Sequence, residues 1–232
     1  MNIKLSNLII ETTRKCNLKC DHCLRGDSQD LDINLEHLEN FLINVDYIST
    51  ITFSGGEPSL NVFILENILE MLQRLNIEVN NFYMATNGYG LNDINFVTFL
   101  IKMYDYCSDN EITEVKVSND IFHEPIDLED TLCNALKFVH LGDRIDERYM
   151  ITEGRAIDYC IGDRCLELDR HIEIDEYEDE IIIESNIYFN CKSNLITDCD
   201  YSYSTQNCEE IQICNFETTI PKDTLIKTLI NL

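Results

Sequence analysis

The chain has 232 residues, 44% of them apolar and 26% charged, so it is long enough to bury a substantial core without disulfide help and is not a disordered chain. Its 43 Asp and Glu outnumber its 17 Lys and Arg, and the net charge of -26 repels phosphate backbones and anionic headgroups. Bulk nucleic-acid binding is therefore not expected, and no apolar run approaches the length of a membrane span.

In chain order, Met1-Asn2-Ile3-Lys4-Leu5 carries no signal-type apolar core, so a cytoplasmic protein whose 11 cysteines are reduced or metal-bound is expected. Residues 7–11 read as a short buried strand. Residues 34–46 place Leu35, Leu38, Phe41, Leu42 and Val45 at helical spacing. A strand at 49–53, a helix at 61–75, a strand at 81–85, a helix at 93–105 and a strand at 113–118 follow. The pattern continues with a helix at 127–140 and a short fifth strand at 148–151. This alternation predicts parallel βαβ units with right-handed crossovers, in a partial barrel or an open sheet with the active-site loops after the strands.

The last third changes character. Residues 169–180 are strongly acidic. Apolar runs at 181–183, 187–189 and 195–197 are separated by polar residues at Ser185-Asn186 and Lys192-Ser193-Asn194, which predicts a small β-hairpin appendage. A short helix over 222–230 closes the chain. The expected division is a core at 1–158 and a cysteine-rich extension at 159–232.

After the first strand stands Cys16-Asn-Leu-Lys-Cys20-Asp-His-Cys23. Three thiolates on one loop can bind three irons of a [4Fe–4S] cluster and leave the fourth iron open, as a catalytic centre requires. A zinc site completed by His22 or a distant cysteine is the alternative. After the second strand stands Phe53-Ser54-Gly55-Gly56-Glu57-Pro58, where two glycines allow close backbone approach to a ligand and Glu57 adds a carboxylate. The same segment also reads as a tight strand-to-helix turn with Glu57 near a helix start.

With both motifs in this order, the chain resembles the radical S-adenosylmethionine (SAM) superfamily over roughly residues 5–155. The resemblance implies an α/β fold, a partial (β/α)6 barrel, with the C-terminal β-hairpin appendage beside it. It also implies a [4Fe–4S] cluster on Cys16, Cys20 and Cys23 whose open iron chelates SAM, and a reductant of flavodoxin or ferredoxin type. Gly55, Gly56 and Glu57 match the segment contacting the methionine amino group. Asn87, Ser118 and Asn119 match cofactor-lining positions after the third and fourth strands, and Arg155 could pair with the SAM carboxylate. His22 stands where the family usually has an aromatic residue bordering the adenine.

Asp120 and His123 lie on a loop expected to face the chemistry, where a histidine can move a proton or anchor substrate; a capping acid and a loop histidine are the plainer reading. Cys107 and Cys133 are expected in the core. Cys160, Cys165, Cys191, Cys199, Cys208 and Cys214 crowd the last third and could hold an auxiliary iron–sulfur cluster. The expected function is hydrogen-atom abstraction from a peptide or protein. A small-molecule or nucleotide substrate, a glycyl-radical-enzyme activase and a non-catalytic metal-binding protein stand as alternatives.

Overall fold

The computed structural model describes residues 1–123, 135–142, 150–162, 168, 172–177 and 179–231. Four parallel strands come first: β1 (Asn2–Thr13), β2 (Tyr47–Gly55), β3 (Glu78–Thr86) and β4 (Glu114–Val117). The helices α1 (Leu35–Leu42), α2 (Val62–Leu75) and α3 (Ile94–Tyr106) alternate with them. Each helix begins on a side-chain cap: Asn34, Asn61 and Asp93 accept from the first free N–H groups. Each buries one face, such as Leu38, Phe41 and Leu42 of α1. Phe53 of β2 lies at the centre of the core, edge-on to Phe82 at 6.3 Å and to Phe99 at 5.5 Å.

β5 (Val139–Leu141) pairs parallel with β4. It stands where the sequence reading ended a helix at 140, and the strand expected at 148–151 is not the fifth one. Phe138 stacks on Tyr104 and meets Phe82 edge-on, and so draws this stretch onto the sheet. The rest of the expected helix, 127–134, and residues 148 and 149 lie outside the described residues.

The C-terminal part comprises α4 (Arg155–Tyr159), β6 (Ile174–Glu176), β7 (Glu180–Phe189), β8 (Asn194–Thr197), β9 (Gln212–Asn215) and α5 (Lys222–Ile230). The hairpin is present as β7–β8, with its turn at 190–193. It is not set apart, because β7 pairs parallel with β1 from Asn2↔Glu180 to Ile10↔Phe189. One sheet therefore runs β5-β4-β3-β2-β1-β7-β8-β9, with β6 on part of β7. It holds six parallel strands, is unclosed, and is continuous across the division expected at 158/159. Ser185-Asn186 does not turn the chain. Asn7 of β1 donates to the Asn186 side chain at 2.8 Å and Ser6 to Glu184 at 2.9 Å, so the polar residues pair across strands. β9, absent from the sequence reading, pairs antiparallel with β8. No helix among the described residues is long and apolar enough to cross a membrane.

A buried polar network joins the two parts at the C-terminal end of β1. Glu11 is 0% exposed and Arg14 1%. Arg14 Nε donates to Glu11 at 2.6 Å, and the same carboxylate accepts from Cys191 N, the Tyr188 hydroxyl and Gln206 Nε2. Burial alone would raise the Glu11 pKa, but the Arg14 guanidinium, with Arg25 and the Cys191 N–H, holds it below its ordinary value. Arg14→Met strands this carboxylate and is expected to cost about 3–5 kcal/mol in urea unfolding. Since the folded pKa is depressed, the Glu11 contribution is full above its ordinary 4.5 and is lost as the pH falls through the folded value. Glu11→Gln is expected to flatten the fall in stability below that pH.

Candidate functional site

Parallel strands put their C-terminal ends on one edge, and the loops leaving β1, β2, β3 and β4 meet there. Residues 14–34 form the first loop. Cys23 N donates to Cys20 O and Gly26 N to Cys23 O, both at 3.2 Å, which coils the cysteine segment into successive turns. Cys16 N is held by Ser28 Oγ at 2.9 Å. The three cysteines are half-buried and share the wall of a cavity of about 440 Å³ with Arg14, Gly56, Arg155 and Tyr203.

The glycine segment closes on this loop through its backbone. Gly56 N donates to Thr13 O and Glu57 N to Lys15 O, each at 2.8 Å. A Cβ on Gly55, which sits at φ +145°, would collide with the Thr13 carbonyl oxygen. The Glu57 carboxylate is buried and fully engaged. It accepts from Ser59 N and Oγ, from Thr86 Oγ1 at 2.7 Å and from Asn87 N at 2.7 Å. Glu57 thus caps the short turn Pro58–Asn61 and pins the end of β3 to that of β2. The two readings of this segment coexist: its side chain is structural, while Ser54, Gly55, Gly56 and Glu57 all face a cavity of about 400 Å³ beside the cysteines.

Asn87, Ser118, His22 and His123 line the same cavity. Asn87 Nδ2 donates to Asn17 of the cysteine loop at 2.8 Å. Ser118 N is tied to Thr86 O, and Asn119 Nδ2 reaches Gly142 O at 3.1 Å, linking the ends of β4 and β5. His22 stacks on Phe122 with ring centroids 4.5 Å apart. Asp120 and His123, expected on a loop facing the chemistry, pair with each other next to Cys20. His123 Nδ1 lies 2.8 Å from Asp120, and its Nε2 lies 3.7 Å from Cys20 Sγ.

Arg155 spends its guanidinium on Asp21 at 3.1 Å and Asp27 at 3.5 Å, while its N–H donates to Cys23 O. Gly154 at φ +56° permits this, since a Cβ there would strike Leu24 O and Cys23 O. Arg25, passed over in the sequence, occupies the cavity wall: it donates to Tyr201 O at 2.6 Å and to Ser54 Oγ at 3.3 Å, with its guanidinium 4.9 Å from the Tyr188 ring. A signal was available, because Arg14, Lys15, Lys19 and Arg25 put four of the chain's 17 cations into one short stretch.

The cysteine loop fits a [4Fe–4S] cluster better than a single ion. Among the described residues, the triads whose ligand atoms all lie within 4.8 Å of one another are His22–Asp120–His123 and Asp198–Cys199–Asp200, and the three thiols are not such a triad. One tetrahedral zinc would hold its sulfurs about 3.8 Å apart. In a cluster each thiolate binds a different iron. His22 Nδ1 and the Tyr203 hydroxyl, both buried beside the loop, also lack any partner in the polypeptide.

Among the described residues the C-terminal cysteines are not drawn into one place. Cys191 donates its thiol to Glu11 O at 3.2 Å, Cys214 packs against the main core, and Cys160 is exposed. Cys199 and Cys208 pack on a second apolar cluster around Tyr188 and Ile196. Burial pushes the Cys199 and Cys214 thiols up to about 12, as neutral core groups. Cys107 is buried as expected; Cys133 and Cys165 lie outside the described residues.

Residues 10–121 match the 4Fe-4S single cluster domain family. The uncharacterized protein MJ0907 of Methanocaldococcus jannaschii is 33% identical over 69 residues, which are 28% of this chain and 24% of that protein. The chain thus matches about a quarter of that relative's length. The solved structure of native anSMEcpe with bound AdoMet and Cp18Cys peptide is similar with a TM-score of 0.57 at 15% identity, over 99% of this chain and 80% of that one. Native anSMEcpe with bound AdoMet and Kp18Cys peptide gives 0.56 at 14%, over 98% and 82%. At these identities the likeness is one of fold.

Gly154→Val should push the loop off Arg155 and weaken cluster retention by about 10–100-fold. Iron and sulfide retained per chain after a chelator challenge measure this, against an unchanged far-UV spectrum.

Proposed function

We propose that this chain is a radical SAM enzyme that cleaves SAM reductively at a [4Fe–4S] cluster held by Cys16, Cys20 and Cys23, a reading supported by its matched 4Fe-4S domain, its partial barrel and its two motifs. What carries the reading is the joining of the two motifs at one sheet edge: the Gly56 and Glu57 N–H groups bind directly to the residues that lead into the cysteine loop. A cluster held there by Cys16, Cys20 and Cys23 would pass one electron from an external reductant to SAM and so supply the radical chemistry for hydrogen-atom abstraction from the substrate.

The chain's own residues hold and orient the cofactors. Glu57 fixes the spacing of the β2 and β3 ends, which leaves the backbone of Ser54, Gly55 and Gly56 to receive the methionine ammonium. Asn87 and Ser118 supply the polar rim, Asn119 ties the end of β4 to that of β5 beside it, and the His22–Phe122 stack offers an aromatic border for the adenine. Arg25 offers a cation in the cavity wall, whereas Arg155 positions the cysteine loop through Asp21 and Asp27. The Asp120–His123 pair steadies Cys20.

A peptide or protein is the favoured substrate, since the two anSMEcpe structures of similar fold carry a bound peptide as well as AdoMet. A reductant of flavodoxin or ferredoxin type completes the reaction. The exposed Lys19, next to Cys20, offers such an acidic donor a local cation on a chain of net charge -26.

Anaerobic reconstitution with iron and sulfide, followed by dithionite and SAM, should release 5′-deoxyadenosine. The yield should fall to background when Cys16, Cys20 and Cys23 are replaced by alanine. A wild-type protein that is fully loaded and reduced yet releases none overturns the proposal.

A further inference from the structure

Among the described residues three buried side-chain atoms lack a hydrogen-bond partner, and one of them is the hydroxyl of Tyr203, a residue of the C-terminal segment that lines the cysteine cavity. Tyr203 is 4% exposed. Its backbone N–H donates to Arg25 O at 3.0 Å, and the Arg14 guanidinium lies 4.4 Å from its ring centroid. Tyr203 is thus held against Arg14 and Arg25 of the cysteine loop with its hydroxyl buried.

A buried hydroxyl with no partner is destabilising, a cost a phenylalanine would avoid. Burial, with Glu11 and Cys23 nearby, holds the phenol well above its ordinary value despite Arg25 and Arg14. The group therefore keeps its proton and is a donor without an acceptor. The neighbouring polypeptide acceptors are taken: the Glu11 oxygens serve Arg14, Cys191, Tyr188 and Gln206, and Gln206 Oε1 serves Arg14.

We infer that the Tyr203 hydroxyl donates a hydrogen bond to a sulfur of the cluster carried by Cys16, Cys20 and Cys23, and so raises its reduction potential. The inference rests on the function proposed above. Reduction adds one negative charge to the cluster, so a fixed donor favours the reduced form over the oxidised one. Tyr203 is a positioning residue here: it touches neither SAM nor substrate in this role, and it makes the C-terminal segment part of the electron-accepting site.

Tyr203→Phe tests this in the reconstituted full chain. Without cluster, the variant should melt at the wild-type temperature or above, since only an orphaned hydroxyl is lost. With cluster, EPR-monitored titration should find the reduced-to-oxidised ratio about tenfold lower at a fixed potential, a downward midpoint shift of about 59 mV for one electron. Electron–nuclear double resonance in deuterated buffer should show a deuteron coupled to the reduced wild-type cluster and missing in the variant. An unchanged midpoint and an unchanged coupling, with both proteins fully loaded, overturn this inference and leave the proposed function standing. A wild-type chain that takes up no cluster overturns both.

Discussion

The Glu11–Arg14 ion pair, wholly out of water, is the constraint on which the site depends. Removing two charges from solvent costs several kcal/mol per ion, and good geometry with full hydrogen bonding must return it. Here both conditions hold. The carboxylate has four donors, and the guanidinium reaches Glu11, Gln29 and Gln206 while its face covers Tyr203. One side chain thus holds three pieces of chain: the start of the cysteine loop, its return at Gln29, and the C-terminal segment. Any shift of one leaves a buried charge unpaired, so the pair fixes the relative position of all three.

The same geometry answers how an acidic chain can hold a cluster that becomes more negative on reduction. A net charge of -26 describes the surface, whereas the cavity wall carries Arg14, Arg25 and Arg155. Buried and partly buried charges are screened far less than exposed ones. A local cation there therefore weighs more at the cluster than a distant exposed carboxylate. Arg14 is paired with Glu11 and Arg155 is offset by Asp21 and Asp27, so Arg25, which donates to a carbonyl and a hydroxyl, is the least neutralised of the three.

Strand order through β4, the first three helices and the meeting of Cys16–Cys23 with Gly55–Gly56 were legible in the sequence, because period and motif spacing are local properties. The unread parts depend on partners far along the chain. Glu11 and Arg14 look like surface charges until Tyr188, Cys191 and Gln206 are placed around them. Ser185-Asn186 looks like a turn until Asn7 lies beside it. Val139–Leu141 is too short to carry a period of its own and becomes a strand by pairing with β4.

The C-terminal third is where this matters most. Its sequence suggested an appendage, yet β7 is the sixth parallel strand, and Phe189 and Phe216 stack with Phe41 of α1 in the main core. Beyond β8 the chain returns over the cysteine loop, where Glu153 accepts from Ser202 N and Thr205 Oγ1 and Tyr203 N reaches Arg25 O. Core packing and site closure are thus performed by one continuous stretch of chain. Energetic coupling is strongest between residues that share partners, so a change in the packing of β7 is felt at the cluster loop through Cys191, Glu11 and Arg14, in that order of contact.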